Sequence, residues 1–492
     1  HRDLHSFPTR RSSDLSQWDL ISALPMSLLF IFNLLSLLAF FLLARQAASW
    51  AKENHAEPLA LLALLIGGVF YSFSSPQATF VSGGVIGNIL GNFFIPLILF
   101  CLLKAFREKS PAAAVLAVGL SAALVYTHHL SSYILLFILL FFFAFLILND
   151  LLVFLFPKKS EGKFLLFSAA LGKTFFSPKV MAAIALFVSF IFLVQPPSYL
   201  NKSAIDVAVG EPSKETRTGY DWSALQQTLG DWRALTGLIG AGVIFVFLIF
   251  SLSPFLSKKL NWTKTLPRKS FFVFSSLLVL AWAVSIFLMS WAPQWLKTDI
   301  PSRRIVSYLT WPASLLAAGG LFFFFQLINR IFSQKSAFLF FFILLAAGFF
   351  SSNQEGKPYF LSETDNSEAY QTFAAAQYLA LASQPEEKIL KDHIYLKGDT
   401  WVKLFLMRGY NEPLSRSNLS RYDDPVKPRE TCTRDIVANP DNPVGKKCLE
   451  ETGVKYVLLR KDRDDQNFKK SSAWSKIFSS QKAVIFYHNS NE

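Results

Sequence analysis

The sequence predicts a polytopic α-helical membrane protein of about ten spans, followed by a small soluble α/β domain. Three observations carry that prediction. Apolar runs about as long as one membrane crossing, separated by short polar breaks, recur from Ile21 to Phe350. A hydrocarbon core of about 30 Å takes roughly 20 apolar residues per helical crossing. Lys and Arg concentrate in alternate breaks, the pattern that marks the cytoplasmic side of a membrane. The alternation stops near residue 352, and the roughly 140 residues beyond it are long enough for a core of their own.

Composition agrees. The chain is 52% hydrophobic and holds 51 Phe, which excludes an ordinary soluble domain as a reading of the whole. The formal charge of +14 looks at first like a nucleic-acid signal. Its location argues otherwise: residues 352–492 carry 21 Lys/Arg against 20 Asp/Glu, a net of +1, and the excess sits in short loops between apolar runs. A basic face of the kind that binds nucleic acid is missing.

His1–Leu15 reads HRDLHSFPTRRSSDL. It has no apolar core and is not a signal peptide. Its residues are, in order, those encoded by a common short-read sequencing adapter, so 1–15 is set aside as an artefact. The native chain is then expected to begin upstream of Ser16, with further spans preceding it.

The ten spans are expected at 21–44, 58–74, 88–104, 112–127, 132–150, 180–195, 235–256, 271–291, 305–328 and 337–351. One set of alternate breaks, from Arg45 to Lys335, holds 17 Lys/Arg. The other set holds 7: Lys202, Lys214, Arg217, Arg233, Lys297, Arg303 and Arg304. The first set is cytoplasmic on this count, which puts the domain after residue 352 outside. Within it, Tyr370, Phe373, Ala374, Gln377, Tyr378 and Leu381 follow helical spacing, Ser362 and Asp365 make a capping-box-like start, and Val454–Leu459 and Ala483–Tyr487 read as strands.

Chemistry is sought at the helix ends. Val125–Tyr133 is a short polar break holding His128 and His129, each a ligand for phosphate or sugar or else the partner in an interhelical hydrogen bond. Adjacent histidines point about 100° apart on a helix, which disfavours a shared metal. Ser74–Asn92 is uncharged and Gly-rich; Asn88 and Asn92, four apart, share one helix face and suit helix–helix contact or a sugar. Gly162–Lys179 is basic and partly apolar, as a helix lying on a membrane surface would be. Pro196–Arg233, the longest outer loop, combines acids with aromatics. Arg303 and Arg304 open a span on the outer side against the charge bias. Arginine's planar donor fork is the preferred partner of phosphate; snorkelling to headgroups is the alternative. Asp19 is a catalytic carboxylate or a solvated loop acid. Cys101 lies in an apolar run, whereas Cys432 and Cys448 share the C-terminal domain and can pair in an oxidising compartment.

With these features the chain resembles the GT-C superfamily of polytopic glycosyltransferases. The resemblance rests on the Gly-rich turn at 74–92, the Thr127-His128-His129 turn, the Arg303-Arg304 entry to a span, and the C-terminal domain with VKYVLL and AVIFY. It implies a sugar donor linked to polyprenyl phosphate, with transfer at the outer face of the plasma (inner) membrane. It also implies about thirteen spans in all, and a catalytic carboxylate in a first outer loop upstream of Ser16. Arg303 and Arg304 would hold the leaving phosphate, with His128 and His129 beside them; a divalent metal is possible in the full-length protein. The partners implied are the lipid-linked donor and membrane lipids, not nucleic acid. Two other readings stand beside it: a transporter, against which the scarcity of mid-helix charge counts, and a membrane-anchored binding or assembly protein, for which ten spans are excessive.

Overall fold

The computed structural model describes residues 20–50, 53–69, 86–155, 175–194, 210, 217–252, 269–331, parts of 335–354, 367–384, 387–391, 396, 435–463 and 465–489. Asp19, residues 1–15, Cys432, Ser362, Asp365 and the side chains of His129 and Arg303 lie outside them. So does most of Gly162–Lys179. Two compact units divide at Ser362/Glu363.

The first unit is helical. Its elements are α1 (Leu20–Ala47), α2 (Glu53–Leu64), α3 (Ile86–Glu108), α4 (Pro111–Thr127), α5 (His129–Leu155), α6 (Pro178–Val194), α7 (Trp222–Leu229), α8 (Asp231–Leu252), α9 (Lys269–Trp291), α10 (Ser302–Val306) and α11 (Thr310–Ile331). A π-helical turn, Leu65–Val69, continues α2. Four stretches are long and apolar enough to cross a membrane: Gly87–Glu108, Leu130–Leu152, Phe271–Trp291 and Arg304–Phe322. The bent pair α7–α8 makes a fifth when counted as one, and shorter apolar helices occupy four more of the expected spans. The expected span at 337–351 is described only in part. The described residues thus supply four or five full-length crossings, fewer than the ten expected. Four other expected spans carry apolar helices of 12–17 described residues, Ile31–Ala47, Ala56–Gly67, Pro111–Thr127 and Pro178–Phe190.

Helix ends follow local chemistry. Lys109 takes a positive φ of 50° to turn the chain between α3 and α4. Ser110 then caps α4, its hydroxyl accepting from Ala113 N at 3.3 Å, with Pro111 in the first helical position, where a missing N–H costs nothing. The core is aromatic and tight: Phe40 stacks on Trp311 at 4.4 Å and Phe106 on Phe274 at 3.7 Å. Trp282 and Trp311 are fully buried. α8 and α11 pack with backbones in near contact. A methyl at Gly240 would run into the Leu316 carbonyl and come within 2.8 Å of Ala317 N; one at Gly320 would lie 2.6 Å from Gly240 Cα. Small residues at such a crossing are how membrane helices gain packing without a hydrophobic driving force.

One expected loop is partly helical. Within Pro196–Arg233, Asp221 caps α7 by accepting from Ala224 N at 2.7 Å. Leu225 and Leu229 are buried while Trp222, Ser223 and Gln227 face out. Gly230, at φ 94°, ends α7, and the chain bends by 107° into α8. The apolar pair four apart and the Asp cap were the signal for this short amphipathic helix.

The second unit is α/β. It comprises α12 (Ser367–Ala382), β1 (Lys388–Lys391), α13 (Pro443–Thr452), β2 (Val454–Arg460), α14 (Asp465–Lys470), β3 (Trp474–Ser479) and β4 (Ala483–His488). The sheet order is β1-β2-β4-β3, with β1 parallel to β2 and the other pairs antiparallel. β2 and β4 fall on the two expected strands. Both are central and almost continuously buried; hence their unbroken apolar runs. α12 forms where expected but buries a different face. Glu368, Thr372, Ala375, Ala376 and Leu379 face inward, while Tyr370 and Leu381 are exposed. Small side chains let the helix sit close to the sheet, so the larger apolar residues were a misleading guide. Glu368 is held by Arg460 at 2.6 Å. The Tyr456 hydroxyl donates to Ala382 O at 3.0 Å; burial first, then Glu387, pushes its pKa upward.

Candidate functional site

At one end of the helical unit the chain gathers the segments that the sequence assigns to the outer side. His128 ends α4 and begins α5. Its backbone is extended, its N–H donates to Leu124 O at 2.9 Å, and its carbonyl accepts from Ser132 N at 3.2 Å. Its imidazole serves as the N-cap of α5, Nδ1 accepting from Ser131 N at 3.4 Å. The Ser131 hydroxyl lies 2.6 Å from the same Nδ1. On its other side, that hydroxyl lies 2.6 Å from Tyr308 OH, 177 positions away in sequence. Tyr308 OH in turn lies 3.4 Å from the Asn88 side chain. Ser131, Tyr308 and Asn88 are all buried; His128 is half-buried. The result is one hydrogen-bonded chain of polar groups linking α3, α5 and the turn 307–309.

Glycines on α3 make room for it. A methyl at Gly91 would come within 2.7 Å of both Ser131 Cβ and Tyr308 OH. One at Gly87, a turn earlier on the same face, would lie 2.5 Å from His128 Nε2. The Gly-rich stretch therefore serves close approach of α3 to this cluster.

Arg304 lies on α10, four residues before Tyr308. Its side chain is exposed, its N–H donates to Pro301 O at 2.9 Å, and its carbonyl accepts from Ser307 Oγ at 2.7 Å. Of the expected site residues, His128 and the Arg304 turn are thus joined through Ser131 and Tyr308. Asn88 makes the expected helix–helix contact. Ser131 and Tyr308 were missed, although both stand inside stretches singled out in the sequence; nothing local announces a partner so far along the chain.

A second missed feature is ionic. Arg217 Nη1 lies 2.8 Å from Asp299 Oδ2 and also donates to Asp299 O at 3.1 Å. Backbone bonds from Tyr220 N to Ser290 O and from Gly210 N to Lys297 O, each 2.8 Å, fasten the same loop to the end of α9. Gly219, at φ 106°, lies directly over the Trp291 carbonyl. Arg233 is fully buried and donates through Nε to Leu229 O. Asp299 is buried, and a buried acid needs a partner such as Arg217. Among the described residues no group of three or more His, Cys, Asp or Glu is placed to hold a metal ion. Cys101 is a free, buried thiol, and Cys448 is disulfide-bonded.

No family model and no curated protein matches the sequence. Solved structures do. The oligosaccharyltransferase of Archaeoglobus fulgidus tethered to an acceptor peptide aligns over 88% of this chain and 57% of its own, at 13% identity and a TM-score of 0.49. The same organism's AglB with an inhibitory peptide and a dolichol-phosphate gives 87%, 57%, 14% and 0.47. ArnT from Cupriavidus metallidurans bound to undecaprenyl phosphate gives 92%, 83%, 11% and 0.43. These neighbours are GT-C glycosyltransferases. The chain spans 57% of the length of the archaeal proteins.

Proposed function

We propose that this chain is an integral membrane glycosyltransferase of GT-C type, which transfers a sugar from a polyprenyl-phosphate carrier at the outer face of the plasma membrane. One observation carries the reading. Polar groups from α3, from the His128 turn with the start of α5, and from the turn 307–309, far apart in sequence, converge at one end of an otherwise apolar helical unit, beside a turn that exposes Arg304. The charge count makes that end the outer one. A lipid-linked phosphate lies at headgroup depth and needs cationic and N–H donors there.

The chemistry follows from the groups. Glycosyl transfer leaves a phosphate that keeps its negative charge. Arg303 and Arg304 hold that phosphate and stabilise its departure, and His128 and His129 lie beside it. A carboxylate acts as base on the acceptor hydroxyl, and Asp19 is the candidate for it in this sequence. The C-terminal unit faces the outside. The Cys448 disulfide supports that placement, since such bonds persist in oxidising compartments, and Cys432 is its proposed partner.

The test is transfer from polyprenyl-phosphate sugars by the full-length protein in lipid nanodiscs, with Arg304→Ala beside the wild type. A charge-assisted contact to phosphate is worth roughly 1.5–3 kcal/mol, so transfer should fall by about 10- to 150-fold at about 1.4 kcal/mol per decade. A variant that inserts normally and keeps full activity makes the arginine a membrane anchor and removes the phosphate site from this turn.

A further inference from the structure

α7 is a short helix held more firmly than an outer loop needs. The Asp221 carboxylate caps it, accepting from Ala224 N at 2.7 Å and from Ser223 Oγ at 3.0 Å. Just upstream, Tyr220 N donates to Ser290 O and Arg217 pairs with Asp299, each at 2.8 Å. At the other end Arg233 Nε donates to the Leu229 carbonyl. Leu225 and Leu229 turn inward, where α7 packs against α9, α10 and the turn 307–309. The helix thus stands on rigid supports beside the turn that exposes Arg304, and rigid elements are where precise recognition is built.

Its outward side is uncharged. Trp222 and Gln226 stand four apart, as do Ser223 and Gln227, in two adjacent rows on the helix. Trp222 is 46% exposed, and its ring meets no other aromatic ring among the described residues. Among the same residues the side-chain amides of Gln226 and Gln227 have no hydrogen-bond partner. A helix that lies on lipid turns its apolar face to the membrane and lines the other with Lys and Arg. α7 turns its apolar face into the protein and contains neither Lys nor Arg. The aromatic belt at this end is supplied instead by Trp291, which closes the apolar α9, and Trp295, edge to face at 5.6 Å. An exposed indole beside unengaged amides suits a neutral sugar. The indole face takes the C–H side of a pyranose, and each amide both donates and accepts, as a hydroxyl requires.

We infer that α7 carries the subsite for the sugar of the lipid-linked donor, an uncharged hexopyranose, with Trp222 stacked on the ring and Gln226 and Gln227 bonded to its hydroxyls. The inference rests on the proposed lipid-linked donor, whose phosphate Arg304 holds while α7 reads the sugar. α7 offers no cation to a uronic acid, and its capping carboxylate is already engaged, which disfavours an amino sugar.

The experiment measures binding of the full-length protein in lipid nanodiscs to bare polyprenyl phosphate and to polyprenyl-phosphate glucose, galactose and mannose. The wild type should bind at least one hexose form more tightly than the bare phosphate. Trp222→Ala should weaken that form by about tenfold, equivalent to about 1.4 kcal/mol, and leave the bare phosphate unchanged. Trp222→Phe, which keeps a ring, should recover part of the loss. Gln226→Ala and Gln227→Ala should each weaken the same form by about fivefold, as loss of one hydrogen bond does. Equal losses for bare and sugar-bearing lipid would make Trp222 a membrane anchor and overturn the inference. So would no loss for either, or a wild type that binds no hexose form more tightly than the bare phosphate. Arg304→Ala separates the two readings, because it should weaken both kinds of lipid alike. If it weakens neither while Trp222→Ala still tells them apart, the phosphate site lies elsewhere and the sugar subsite stands.

Discussion

The helical unit and the C-terminal unit bury polar groups in different ways. At the His128 end of the helices the buried chain holds no carboxylate: it is an imidazole, two hydroxyls and an amide. In the α/β unit buried carboxylates meet cations directly, Glu368 with Arg460 and Asp465 with Lys469, each at 2.6 Å. The environment accounts for the contrast. Around a membrane span no water is at hand to complete a charge's solvation, so neutral hydrogen bonds are the affordable way to bury polarity. In the α/β unit Arg460 and Lys469 keep 32% and 34% of their side chains in solvent, so the cation of each pair stays partly hydrated. The charged groups largely buried in the helical unit, the Arg217–Asp299 pair and Arg233, sit in the loops before α7 and after α9 and in the first turn of α8, where the chain is leaving the apolar runs.

The two units also close their cores differently, and this gives the largest expected effect. Gly240→Leu sets a side chain against the backbone of α11, which cannot yield as a side-chain tip can. The cost should be at least about 3 kcal/mol, the upper end for overpacking, read as a lower thermal midpoint of the helical unit in detergent. Gly242→Leu is the control, because nothing lies within 4 Å of a methyl there. Equal effects at both positions would mean that α8 and α11 are not packed backbone to backbone.

A smaller effect is expected in the α/β unit. Arg460→Met keeps the aliphatic stem but takes the guanidinium from Glu368. A fully buried pair broken this way costs 3–5 kcal/mol; partial exposure of the arginine brings the expectation to roughly 2 kcal/mol after allowing for solvent screening. Calorimetry of the full chain should show the unfolding transition of this unit move down while that of the helices stays. A variant as stable as the wild type would show the pair to be a surface pair in energetic terms.

Much of this architecture is written in local pattern. Four expected spans, or five with the bent α7–α8 pair, are full-length apolar helices and four more carry shorter ones, because apolarity is a property of a short window. β2 and β4 were legible for the same reason: central strands leave continuous apolar runs. The face of α12 was not, since the residues that pack there are Thr372, Ala375 and Ala376, small enough to look unremarkable. The polar chain was half legible. His128 and Asn88 stood out, but Ser131 and Tyr308 acquire meaning only from a contact 177 positions long. Arg217 entered the reading only as a charge in a loop, and its partner Asp299 lies 82 positions on. Pair identity at that range is set by helix packing, which a single sequence does not display.

The central claim is that the end of the helical unit marked by His128, Tyr308 and Arg304 receives a lipid-linked phosphate. The direct measurement is cross-linking by a polyprenyl phosphate that carries a photoreactive group next to its phosphate, followed by peptide mapping of the full-length protein. The account predicts adducts within 127–133 and 301–308. Adducts confined to the opposite end, around 104–113 and the start of α9, or spread evenly over all the helices, would contradict it.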